Sequence, residues 1–137
     1  MPLGVMALLF SLAYYSRPIC AFTDDELADL WECSFEYNQP RRITGALYYD
    51  DDVFFHVLEG DSAEIEPLMK TIERDPRHSE LTIVLENDIA SPSFRFWPMK
   101  FLDGRASRRL RQRFQPEDLK YMKLADLNAS VFSLAML

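Results

Sequence analysis

A run with no polar face is the strongest constraint in this sequence. From Leu8 to Ser16, alternating positions put Leu8, Phe10, Leu12, Tyr14 and Ser16 on one side and Leu9, Ser11, Ala13 and Tyr15 on the other, because successive strand side chains point to opposite faces. Both sides are mostly apolar, so the run belongs inside a sheet that is covered on both faces. Arg17-Pro18 is expected to end it, since proline removes a ladder donor and restricts the residue before it. The apolar stretch Val5 to Tyr15 also raises a secretory leader or a membrane span. No Lys or Arg precedes it, and it falls short of the roughly 20 residues that a span needs. A buried strand, with no membrane partner, is the expectation.

Thr23-Asp24-Asp25-Glu26 has the spacing of a capping box, which starts a helix. Leu27, Leu30, Trp31, Ser34 and Asn38 follow at helical intervals, so the apolar stripe ends in two polar residues that need partners. After Pro40, the runs Ile43 to Tyr49 and Val53 to Glu59 read as a hairpin around Asp50-Asp51-Asp52. Contiguous aspartates lack the spaced oxygen ligands of a calcium loop, so a solvated turn and no metal are expected. A second helix opens at Asp61, with Glu64 three residues on, carries Ile65, Leu68, Met69 and Ile72 on its apolar face, and stops at Asp75-Pro76. Leu81 to Leu85 and Phe96 to Leu102 supply two more strands.

The resulting order, β-α-β-β-α-β-β, predicts an α+β fold. It is a ferredoxin-like βαββαβ plan with an added fifth strand and C-terminal helices, both main helices lying on one sheet face. Residues 1–103 form this domain. Residues 104–137 are expected to form a helical extension, with Leu110 and Phe114 as an anchor and Leu124, Leu127, Val131, Leu134 and Met136 as an apolar tail, packing on the sheet's other face or at a subunit contact.

Charge narrows the partners. Fifteen basic and twenty-two acidic residues give a formal charge of -7, so the surface repels a phosphate backbone and nucleic acid is not expected. The local basic stretch Arg105 to Arg113 has no interleaved stacking aromatics and reads as a solvated helix face. Cys20 and Cys33 make no disulfide framework, which fits a reducing, cytoplasmic compartment, and Cys33 reads as a core cysteine rather than a nucleophile. Four glycines form no phosphate loop or nucleophile elbow, and two histidines cannot build a metal site by themselves. Enzyme chemistry therefore has no positive support. An acylphosphatase-like reading fails in the same way, because Arg17-Pro18-Ile19-Cys20 contains no glycine for a phosphate cradle.

What remains is a set of polar side chains that the patterns direct inward: Tyr14, Ser34, Asn38 and His56. Phe54, His56 and Leu58 share one strand face, and Tyr14 shares one with Leu12 and Phe10. The residues Tyr14-Tyr15-Ser16, Asn38, Ile43-Thr44-Gly45, Leu58-Glu59-Gly60, Asp75-Pro76-Arg77-His78 and Trp97-Pro98-Met99 stand in an order and spacing that resembles the BLUF domain, over about residues 8 to 102.

That resemblance implies a flavin, usually FAD with FMN or riboflavin as alternatives, held non-covalently between the two helices. It implies that Tyr14 donates an electron and a proton to the light-excited flavin and that Asn38 hydrogen-bonds the ring. Leu30 and Ile72 would sandwich the ring faces, with Ser34 and Phe54 as further contacts and Arg77 and His78 near the ribityl and phosphate groups. Trp97 and Met99 match an element on the last strand that carries the signal onward.

One departure stands out: the family has glutamine where this chain has His56. A neutral imidazole still offers one donor and one acceptor, so His56 is expected to link Tyr14 to the flavin by exchanging its tautomer, with an altered photocycle. Pro98 replaces the usual serine, and Pro92 stands at the family's arginine. About 35 residues follow the match, so the output is expected to pass by contact, through a homo-oligomer or a downstream protein partner. The rival expectation is a flavin-binding regulatory adaptor that has lost light sensing.

Overall fold

The computed structural model describes residues 9 to 106. Leu8 and the run before it, the helix expected around Leu110 and Phe114, and the apolar tail lie outside the described residues. Five strands and two helices follow one another as β1 (Leu9–Pro18), α1 (Asp24–Asn38), β2 (Thr44–Asp50), β3 (Val53–Asp61), α2 (Ser62–Arg74), β4 (His78–Ile89) and β5 (Lys100–Asp103). The sheet order is β4-β1-β3-β2-β5. All pairings are antiparallel except the edge pairing of β5 with β2. The two-faced strand β1 thus lies between β3 and β4, as its apolar pattern demands.

Local chemistry sets the element ends. At α1 the Thr23 hydroxyl accepts from the Glu26 N–H while Glu26 reaches back to the Thr23 N–H, both at 3.1 Å, a reciprocal cap. At α2 the cap is Asp61, which accepts from Ala63 N–H at 2.9 Å; Glu64 instead lies 3.9 Å from Arg41. The hairpin turn is not simply solvated. Asp50 is buried, and its Oδ1 accepts from the N–H groups of Asp52 and Val53 at 2.8 and 3.1 Å, so one aspartate builds the turn while Asp51 and Asp52 face water. Gly45 lets β2 approach β3 closely, because a Cβ there would run into the Val57 carbonyl oxygen.

The two sheet faces carry different cores. One face buries Ala13, Tyr48, Phe55, Val57, Phe94 and Leu102, each large side chain worth about 2 kcal/mol of burial. Both helices pack on the other face. There α2 sets Ile65 and Met69 against Leu12, Tyr14 and Leu58, and α1 sets Leu27 and Leu30 among Phe22, Leu47, Phe54 and Met99.

Three elements differ from expectation. β1 runs on to Pro18, which pairs with His78 at the start of β4. β4 extends at both ends of Leu81 to Leu85, because backbone pairing with β1 continues where side-chain alternation stops. β5 is short, so Phe96, Trp97, Pro98 and Met99 precede it. This connecting segment is fastened by the fully buried Glu59 carboxylate, which accepts from Ser93 N–H at 2.6 Å, Phe94 N–H at 2.8 Å and the Thr44 hydroxyl at 3.0 Å.

Candidate functional site

Tyr14 and His56 are directly opposed in the β1–β3 register and point to the helical side of the sheet. The Tyr14 hydroxyl lies 3.0 Å from His56 Nδ1, with the rings edge to face at 5.4 Å. Both are at least 95% buried. Burial lowers the His56 pKa to about 3, and the neighbouring charge of His78 adds to the shift; the charged form loses hydration that nothing replaces. Burial also raises the Tyr14 pKa, helped by the Asp75 carboxylate. The pair is therefore neutral. Nε2 of His56 is buried without a protein partner.

Above this pair, α1 and α2 enclose a cavity of about 240 Å³. From α1 come Leu30, Cys33, Ser34, Tyr37 and Asn38; from α2 come Leu68, Thr71 and Ile72; Leu47, Phe54, Phe22 and Met99 complete the apolar lining. Asn38, buried at the end of α1, donates its Nδ2 to the Pro98 carbonyl at 3.0 Å. Beside it, Trp31 Nε1 donates to the Met99 carbonyl at 2.9 Å. The Ser34 hydroxyl donates back to Leu30 at 2.7 Å while lining the cavity. At the rim, Arg77 grips both carboxylate oxygens of Asp75, its shortest contact being 2.6 Å. Those hydrogen bonds hold the Asp75 carboxyl below the usual range. The Arg77 side chain stays 46% exposed.

Ten of the eleven residues expected at the site line this cavity: Tyr14, Leu30, Ser34, Asn38, Phe54, His56, Ile72, Arg77, His78 and Met99. Trp97 does not. It packs with the aromatic cluster on the opposite sheet face, under the Lys100 ammonium at 4.2 Å. Cys33 is not a core residue: it is exposed and lines the cavity. Together with Tyr37 it falls three and seven residues after Leu30, on the cavity-facing stripe, so helical spacing held the signal for both. Asp75 stood in the Asp75-Pro76-Arg77-His78 pattern without a site role of its own, and Leu47 and Phe22 carried no signal.

The lining fits a planar heteroaromatic ring. Apolar side chains from two helices provide the faces, and the unpartnered His56 nitrogen and the Asn38 amide provide polar edges. At about 240 Å³ the volume is just below the roughly 300 Å³ at which ligand pockets usually begin. Among the described residues, no cluster of acidic, histidine or cysteine side chains could hold a metal, and no helix is long and apolar enough to cross a membrane.

Comparison with known proteins points the same way. The family model for BLUF, sensors of blue-light using FAD, matches residues 9–100. Photoactivated adenylate cyclase subunit alpha of Euglena gracilis is 30% identical over 76 residues, which are 56% of this chain and 8% of that protein. The chain thus spans under a tenth of the curated relatives it matches. Among solved structures, the dark state of BlrB, a BLUF protein, superposes with a TM-score of 0.76 at 25% identity, covering 96% of this chain and 99% of that one. A bacterial light-regulated adenylyl cyclase gives a TM-score of 0.72 at 26% identity, covering 92% of this chain and 36% of that one.

Proposed function

This chain belongs to the BLUF family, sensors of blue light using FAD, and from that premise we propose that it is a blue-light photoreceptor holding FAD non-covalently between α1 and α2. FMN and riboflavin share the ring for which the cavity is sized and are its alternative occupants. When bound, the flavin supplies blue-light absorption and, once excited, an acceptor for an electron and a proton.

The observation that carries the reading is the Tyr14–His56 hydrogen bond at 3.0 Å, with the second imidazole nitrogen lacking a protein partner. With the phenol donating to Nδ1, the imidazole proton sits on Nε2. A phenol that gave up an electron to the excited flavin would become strongly acidic, so its proton would move to Nδ1 while Nε2 gave up its own toward the cavity, where the same flavin would accept it. His56 thereby exchanges tautomers without rotating. Leu30 and Ile72 orient the ring and exclude water, Asn38 has its carbonyl oxygen left for the ring edge, and Arg77 takes the anionic tail.

The output reading follows from the same contacts. Asn38 and Trp31 of α1 both hold the 98–99 backbone, so a change of hydrogen bonding at Asn38 reaches the segment that leads into β5. From there the signal passes by contact to a second copy of the chain or to a partner protein, in the cytoplasm, with no reaction on a substrate. Blue-light difference spectroscopy on the wild type and Tyr14→Phe tests this: the light-induced change should vanish in the variant while flavin stays bound.

A second reading is favoured by one observation. The His56 imidazole has no carbonyl to swing as a glutamine amide has, so the chain would be a flavin-binding regulatory adaptor without light sensing. Complete insensitivity of the wild-type spectrum to blue light, with photocycling gained in His56→Gln, would select it.

A further inference from the structure

His78 is wired in a way that a phosphate ligand is not. It opens β4, and both ring nitrogens meet protein groups: Nε2 lies 2.6 Å from the Ile72 carbonyl and Nδ1 lies 2.7 Å from the Ser16 hydroxyl. A carbonyl only accepts, so Nε2 carries a proton. The hydroxyl donates to a bare Nδ1 or accepts from a protonated one, so both contacts persist in either charge state of the ring. The Ile72 carbonyl also accepts the Asp75 N–H at 3.2 Å, which places this junction at the C-terminus of α2, where helix carbonyls need outside donors. Ser16 sits in the irregular stretch of β1 pairing between Tyr15 and Arg17, two residues beyond Tyr14 on the same strand face. The His78 ring centre is 6.5 Å from that of Tyr14 and 6.3 Å from that of Phe54.

We propose that His78 is a positioning residue that fastens the Ile72 wall of the cavity to the strand carrying Tyr14, and that it takes no part in holding the phosphate end. A phosphate oxygen at either nitrogen would have to displace Ile72 or Ser16, and displacing Ile72 strips a donor from a carbonyl at a helix end. Arg77, at the rim and 46% exposed, is tied to Asp75 through Nε and Nη2 and keeps Nη1 for an anionic tail. The inference rests on the reading that the cavity takes a flavin.

The test is titration of the full chain with riboflavin, FMN and FAD. Wild type is compared with His78→Ala, His78→Gln and Arg77→Ala. His78→Ala should weaken all three flavins by the same factor, on the order of tenfold. His78→Gln, whose amide nitrogen occupies the place of Nε2 and keeps the Ile72 bond, should recover most of the loss. Arg77→Ala should weaken FMN and FAD while sparing riboflavin. A His78→Ala loss confined to FMN and FAD would overturn the proposal, as would no loss for any flavin. If His78→Ala does not fold, Ser16→Ala removes one of the two contacts and should give a smaller loss, again equal for the three ligands. If the wild type binds no flavin, the flavin reading itself fails. The fastening is then judged by amide hydrogen exchange at Asp75, which must accelerate in His78→Ala or, failing its folding, in Ser16→Ala. Unchanged exchange rejects it.

Discussion

The Tyr14 hydroxyl and His56 Nδ1 are 3.0 Å apart across adjacent strands, and that single contact joins the fold to the proposed photochemistry. Period-two alternation puts both side chains on the helical face, burial keeps both neutral, and the imidazole retains one nitrogen without a protein partner. Removing the hydroxyl by Tyr14→Phe leaves the buried His56 Nδ1 without its partner. That should cost about 1–3 kcal/mol of stability, read as a lower denaturant midpoint with an unchanged slope. Stability equal to wild type would mean that the hydrogen bond is not made in solution.

His56→Gln supplies an amide that can rotate or tautomerise between Tyr14 and the cavity. The variant should show a long-lived red shift of the flavin band under blue light, where the wild type shows a smaller or shorter-lived one. An ordinary, fully reversible red shift in the wild type contradicts the role assigned to His56.

Acid should destabilise the fold earlier than its carboxylates alone would. His56 titrates near 6.5 in the unfolded chain and, chiefly through burial, near 3 in the folded one. Between these values the unfolded state holds more protons, so stability falls as pH falls. The contribution is whole above about pH 6.5 and is lost as pH drops toward about 3. Asp75, held by Arg77 below its ordinary 3.8, comes into play only lower down. The melting temperature should therefore decline from pH 6 to 4, by an amount that His56→Gln largely removes; identical slopes for the two proteins count against a buried neutral His56.

Glu59 should govern the segment before β5. Its carboxylate accepts two backbone N–H groups and the Thr44 hydroxyl, whereas glutamine offers one acceptor oxygen and turns donors toward donors. Glu59→Gln should cost about 3 kcal/mol and speed hydrogen exchange at Ser93, Phe94 and Trp97. Unaltered exchange there would show that the segment is held by other contacts.

Much of this architecture was legible in sequence because its signals are local or periodic. The two-faced run of β1, the capping box at Thr23 and the facing of Tyr14 and His56 each follow from spacing. Features that depend on backbone pairing were not. β4 begins at His78 because Pro18 pairs with it, although His78, Ser79 and Glu80 show no apolar alternation. Phe96 and Trp97 look like strand residues, yet the buried Glu59 carboxylate bends the chain ahead of them, leaving Phe96 81% exposed and Trp97 on the far face. Cys33 follows the apolar stripe correctly, but that stripe faces a cavity rather than a filled core, so the thiol is exposed.

The central claim, a flavin seated against the Tyr14–His56 pair, is tested most directly by the absorption spectrum of the purified chain in darkness and under blue light, beside Tyr14→Phe. A bound-flavin spectrum that changes on illumination in the wild type but not in the variant is the predicted result. A colourless protein that takes up no added FAD, FMN or riboflavin would contradict it.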